Sequence, residues 1–126
     1  FPLDNDKIYS REEVQCKSID KLFEENKIEH VDVLKIDVEG SEFVIFPDDS
    51  FKKVADKIDL IIGEAHYTDQ GGMPEFVPII LKEYGFKTEF VKLPRHNMIK
   101  NLYFTDEGGK EKKYDYTLST IFVAKR

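Results

Sequence analysis

Two short stretches carry the groups with which this chain could do chemistry. Asp37, Glu39 and Glu42 close the run VDVLKIDVEGSE at residues 31–42, and Glu64 and His66 close the run LIIGEAH at residues 60–66. Carboxylates beside an imidazole can move a proton, hold an amine or hold a cation. His66 is the candidate base, because an unperturbed imidazole titrates near neutrality. Its structural alternative is a histidine that caps a strand end or bonds a loop carbonyl. Asp37 and Glu64 lean towards function, since two acids at adjacent strand ends repel unless something positive lies between them. Glu42 has the simpler role of an acid in the first turn of a following helix, favoured by its dipole.

The elements on either side explain why these groups should meet. Val31, Val33, Leu34, Ile36 and Val38 are nearly continuous in apolar character, as expected of a strand buried on both faces of a parallel sheet, and Leu60 to Ala65 repeats the pattern. Ligands of open α/β sheets lie outside the carboxyl ends of the strands, so the acids fall at a candidate site. A helix is expected from Ser18 or Asp20 towards Asn26. After Gly40, which lets the chain turn, one broken helix or two short ones should span 41–58 around Pro47. Pro74 opens a helix with Phe76, Val77, Ile80, Leu81 and Tyr84 on its apolar face, and Gly85 caps it. Residues 86–93 and 114–124 read as strands, the second unusually long, with a polar insert between them in which Leu102, Tyr103 and Phe104 add a small strand or cover the core. Val14, Gln15 and Cys16 read as a short strand, and residues 1–10 as a loop or the remnant of an upstream element. From Val31 the order is strand, helix, strand, helix, strand, strand. The fold class is α/β, with parallel strands followed by an antiparallel pair.

Composition narrows the function classes. The chain has 126 residues and a formal net charge of −6, enough for one domain and without the basic face that nucleic acid requires. No apolar run reaches the roughly 20 residues of a membrane span. Cys16 is the only cysteine, which excludes an internal disulfide and, with no glycosylation sequon, makes a reducing cytoplasm the expected location. The opening FPLDNDK carries neither an initiating Met nor a signal pattern, so the chain is expected to be a piece of something longer. The phenylalanines at 43, 46, 51, 76, 86, 90 and 122 are expected in the core, and Lys110 to Lys113 in a solvated loop. His30 and His96 have no setting comparable to that of His66. Tyr67, Asp69 and Gln70, and more weakly Arg95, His96 and Asn97, are polar loop residues that could touch an acceptor.

The stretch LKIDVEGSE at 34–42, with SIDKL at 18–22 before it and IIGEAH at 61–66 after it, resembles the FkbM-type methyltransferases. The resemblance spans about 14–123. It implies a Rossmann-like sheet that binds S-adenosylmethionine, of which this chain is the C-terminal half: the strand at Val31 would be the fourth of seven, and that at Leu60 the fifth. The first three strands, the glycine-rich cofactor loop and the ribose-binding acid would then be missing. On this resemblance the candidate catalytic groups are His66, Asp37 and Glu64, the candidate cofactor contacts are Asp37, Val38 and Glu39, and the methyl acceptor is a hydroxyl of a small molecule or sugar. Asp37, Glu39, Glu64 and His66 are also of a type to hold Mg²⁺ or Mn²⁺, although no metal ligand set follows from the spacing. An apolar sheet edge left beside the Val31 strand would favour self-association. Two other readings stay open, a non-catalytic α/β binding module and a metal-dependent hydrolase using Asp37, Glu64 and His66.

Overall fold

The structure is a computed structural model that describes residues 12–68, 71–91, 102–105, 108–109, 111–114 and 119–126. Helix α1 (Ile19–Glu25) starts at Ser18 and turns Phe23 into the core. It ends in a left-handed Lys27, with the Ile28 amide on the Phe23 carbonyl and the Lys27 amide on that of Glu24. Strand β1 (Val31–Ile36) leads through a five-residue loop to α2 (Glu42–Ile45), which stops before Pro47 as proline requires. Asp48 then caps α3 (Asp49–Lys52) by accepting from the Ser50 amide. At the surface, a hydrogen bond from Ser18 and the Lys53 ammonium hold the Asp20 carboxyl down at about 2, which ties α1 to the end of α3. After a 3₁₀ turn (Ala55–Lys57), β2 (Ile58–His66) is followed by α4 (Phe76–Lys82), β3 (Lys87–Phe90) and β6 (Ser119–Lys125), with β4 (Leu102–Thr105) and β5 (Glu111–Tyr114) between the last two. Gly85 closes α4 in the left-handed region, with the Phe86 amide on the Leu81 carbonyl and its own on that of Lys82.

Four strands form one sheet in the order β1-β2-β6-β3, and β4 and β5 pair separately. β1 and β2 run parallel, whereas β6 runs antiparallel to both β2 and β3. The fold is therefore mixed α/β, parallel first and antiparallel after. Among the described residues no helix is long and apolar enough to cross a membrane.

Register sets the core. Leu34 pairs with Ile61 and Ile36 with Gly63, while Ile61 pairs with Ala124 and Gly63 with Phe122, so these side chains share one face of the sheet. Phe46 and Phe51 pack on that face, and Phe46 meets both Phe51 and Phe122 edge to face. Tyr84 anchors α4 to the same cluster through its hydroxyl on the Phe46 carbonyl, 2.7 Å away.

Several expectations change. Val14 to Cys16 form no strand, and Val14 is exposed. β1 is not buried on both faces: Val33 is 51% exposed and Ile62, on the same side of β2, is 37% exposed. Among the described residues, α2 and α3 pack Phe46 and Phe51 on the face that carries Ile36, Ile61 and Phe122. The long strand at 114–124 is two, because Tyr114 closes β5 in the small sheet and β6 starts at Ser119. The strand at 86–93 shortens to β3. Phe76 and Phe90 lie largely outside the core. The loop at 1–10, Asp69, Gln70 and the Arg95, His96 and Asn97 patch lie outside the described residues.

Gly63 is where the core tolerates least. A Cβ there would stand 2.5 Å from Phe122 Cζ and 2.8 Å from Ile36 Cγ2, both in fully packed side chains that cannot swing away. Gly63→Ala is expected to lower stability by about 1–3 kcal/mol, read from the midpoint of urea unfolding. An unchanged midpoint would show that the Phe122 ring does not press on this strand.

Candidate functional site

The last paired rung of β1 and β2 joins Ile36 to Gly63. Because β2 continues three residues further, His66 has no β1 residue beside it and stands against the loop that follows β1. That loop is shaped by two successive left-handed residues, Glu39 at φ 50° and Gly40 at φ 97°. Only glycine fits the second position, since a Cβ on Gly40 would also stand 2.7 Å from Thr68 Cγ2. Thr68 in turn closes a small turn after β2, its amide donating to the Gly72 carbonyl and its hydroxyl accepting from the Gly72 amide at 2.8 Å. The loops after the two parallel strands are thus packed against each other.

Within this frame His66 is met by three acids. Its Nδ1 lies 3.0 Å from Glu42 Oε1, and its Nε2 lies 3.6 Å from Glu39 Oε2 and 3.9 Å from Asp37 Oδ1. The ring side chain is 14% exposed, while Asp37 is 37% and Glu39 86% exposed. One ring nitrogen therefore faces the interior and the other an opening lined by carboxylates. Even a protonated imidazole balances only one of the three acids. The cluster suits a positively charged ligand or a hydroxyl that must lose a proton.

Glu42 is the residue that sequence reasoning placed wrongly. It does begin α2, but its side chain is fully buried, the only buried charged one among the described residues. Oε1 accepts from the Val38 amide at 3.3 Å as well as facing the imidazole, and Oε2 has no hydrogen-bond partner among the described residues. A buried carboxylate is held by paired hydrogen bonds or charges, so the contact to His66 outweighs any dipole effect from a four-residue helix. The signal was present in the spacing: Glu42 is four residues before Phe46, on the face of the helix that enters the core.

Glu64 lies elsewhere. It accepts a hydrogen bond from the Ser119 hydroxyl on β6, and it is not among the groups that converge on His66. Of the four side chains expected together, Asp37, Glu39 and His66 gather their donor atoms, and Glu64, bonded to Ser119, is not in that group among the described residues. Tyr67 donates to Glu75 at 3.1 Å, and partial burial followed by that carboxylate pushes its hydroxyl up from the ordinary range. At the opposite end of the strands His30 lies 3.0 Å from Asp59 and 3.5 Å from Asp32, all three exposed.

A sequence profile described as the methyltransferase FkbM domain matches residues 2–88. The matched span contains β1, β2, α1 to α4 and the three acids that face His66, and it starts earlier and stops sooner than the resemblance suggests. No curated protein and no solved structure matches the chain.

The Glu42 carboxylate is the element of this site most open to test without a substrate. Glu42→Gln keeps the shape and an acceptor oxygen, but it removes the negative charge that faces the imidazole and buries an NH₂ donor where Oε2 has no partner among the described residues. It should cost about 1–3 kcal/mol, measured by chemical denaturation. A variant as stable as the parent would mean that the carboxylate does not hold the loop to the ring.

Proposed function

The chain belongs to the methyltransferase FkbM family, and on that premise we propose that it is the C-terminal half of a methyltransferase that uses S-adenosylmethionine and methylates a hydroxyl of a small molecule or sugar. The observation that carries this reading is the meeting of Asp37, Glu39 and His66 just past the carboxyl ends of two parallel strands, where open α/β sheets bind their ligands. A sheet that is parallel first and antiparallel after supports a Rossmann-like methyltransferase architecture.

The residues present suit one end of the cofactor. Asp37 and Glu39 can receive a positively charged amino group, with the Val38 and Glu39 backbone beside them. The glycines near the site do not form a cradle: the space over Gly40 is taken by Thr68, and that over Gly72 by Phe43 and Thr68. Gly71 has open space, but it sits in a surface turn and opens no helix. When bound, S-adenosylmethionine supplies a methyl group activated by its sulfonium charge.

The chain's own residues would do the rest. Asp37 orients the acceptor at the mouth of the site, and His66 receives the hydroxyl proton at Nε2, the nitrogen turned to the opening. Such proton removal typically contributes about 10²–10⁴ in rate. Glu42 is a positioning residue, since its bond to Nδ1 fixes which nitrogen faces the acceptor. Glu64, engaged by Ser119, takes no part in the proton transfer.

With acidic contacts and no open glycine cradle, this 126-residue chain should bind S-adenosylmethionine more weakly than micromolar by calorimetry. In a parallel titration followed by NMR, the amides of Asp37, Val38 and Glu39 should shift and those of His30 and Asp59 should not. Micromolar binding would refute the weak-binding expectation, and shifts confined to the His30 end would refute the site.

A further inference from the structure

We propose that Asp37, Glu39 and His66 form a site for one divalent cation, with Mn²⁺ the best-matched ion. Donor atoms of the three side chains all lie within 4.8 Å of one another. Two ligands each about 2.0–2.2 Å from one ion stand about 2.8–3.1 Å apart at octahedral right angles and about 3.3–3.6 Å apart at the tetrahedral angle. The Nε2 separation of 3.6 Å to Glu39 lies at the top of that range, and the 3.9 Å to Asp37 needs a closure of a few tenths of an ångström on binding. The two carboxylates suit a hard ion such as Mg²⁺ or Mn²⁺, and of the two Mn²⁺, a transition-metal ion, takes the added imidazole nitrogen more readily.

A second observation lies outside the exposed cluster. Glu42 is fully buried, its carboxyl group is turned to Nδ1 of the same ring, and its Oε2 is unpartnered among the described residues. Histidines that ligate metals almost always give their other ring hydrogen to a carboxylate or carbonyl, which orients the ring and strengthens the ligating nitrogen. Burying a carboxylate behind an imidazole that is itself only 14% exposed is costly as mere packing. Facing a cation through the ring, it is compensated. The His30, Asp32 and Asp59 group at the other end of the strands has comparable donors, but all three are exposed. It serves as the internal control.

This inference deepens the methyltransferase reading and rests on it only for the use of the ion, not for its binding. Where the ion is held, Nε2 acts as a ligand, and acidification of the acceptor hydroxyl passes from the ring to the metal. The hydroxyl oxygen would gain the methyl group as the bond from that methyl to the sulfonium sulfur breaks, S-adenosylhomocysteine would leave as the neutral thioether, and the hydroxyl proton would pass to water at the exposed side of Glu39.

The test is a Mn²⁺ titration of the whole chain without S-adenosylmethionine, followed by calorimetry and by paramagnetic broadening of NMR signals. One ion per chain is expected, with signals of residues 37–40 and the His66 ring broadened before those of His30 and Asp59. Asp37→Asn and His66→Ala should each weaken binding tenfold or more, Glu42→Gln by about 10–100-fold, and Asp59→Asn not at all. Broadening centred on His30, or an absence of saturable binding by the unmutated chain, would overturn the proposal whatever the variants do. Failure here with the cofactor titration intact would remove the ion and leave the methyltransferase reading standing. The reverse result would do the opposite.

Discussion

A single buried contact, between the Glu42 carboxylate and Nδ1 of His66, joins the two halves of this site. Glu42 begins the helix after the first parallel strand, and His66 ends the second. Nothing in the strand ladder itself links these positions, because pairing stops at Ile36 and Gly63. The contact turns a sheet edge into a shaped site: it decides which ring nitrogen is held inside and which faces Asp37 and Glu39. A carboxylate in that position is stable only with donors on it, and the chain supplies two, the Val38 amide and the imidazole.

Tight backbone packing makes the contact possible. Gly40 turns the loop through the left-handed region under Thr68, Gly72 lets the next loop close over Phe43, and Gly63 admits the Phe122 ring against the sheet. Each is a place where a side chain would push apart elements that must touch. The aromatic cluster of Phe46, Phe51 and Phe122 then fixes α2 and α3 on the sheet, and with α2 the position of Glu42. Core and site share one helix four residues long, which Glu42 begins and Phe46 caps, both fully buried.

How far the sequence reveals this depends on how local each feature is. The runs at Val31 and Leu60, the stop at Pro47 and the cap at Gly85 are local, and the structure places a strand or helix boundary at each within a few residues. Placing Asp37 and His66 at neighbouring strand ends followed from the parallel pairing that α/β order implies. Features that depend on distant partners were harder to read. Glu64 bonds Ser119, 55 residues away, which no periodicity announces. The alternating pattern at 114–124 runs on without marking that Tyr114 and Ser119 belong to different sheets. Val14 to Cys16 has strand-like residues and, among the described residues, no strand that pairs with it. Glu42 reads as a first-turn acid favoured by the helix dipole, and it does begin α2, although its spacing from Phe46 points its side chain inward. Exposure of Val33 and Ile62 likewise follows from what covers a sheet face, which the apolar run by itself does not state.

The family match supplies the reaction class, and the geometry supplies the groups that could serve it. Both depend on the imidazole being held in one orientation. Long-range ¹H–¹⁵N correlation of the His66 ring, with the ring neutral, reads that orientation most directly. A hydrogen on Nδ1, lost or redistributed in Glu42→Gln, is the result this account predicts. A hydrogen on Nε2 alone, unaffected by that substitution, would contradict it.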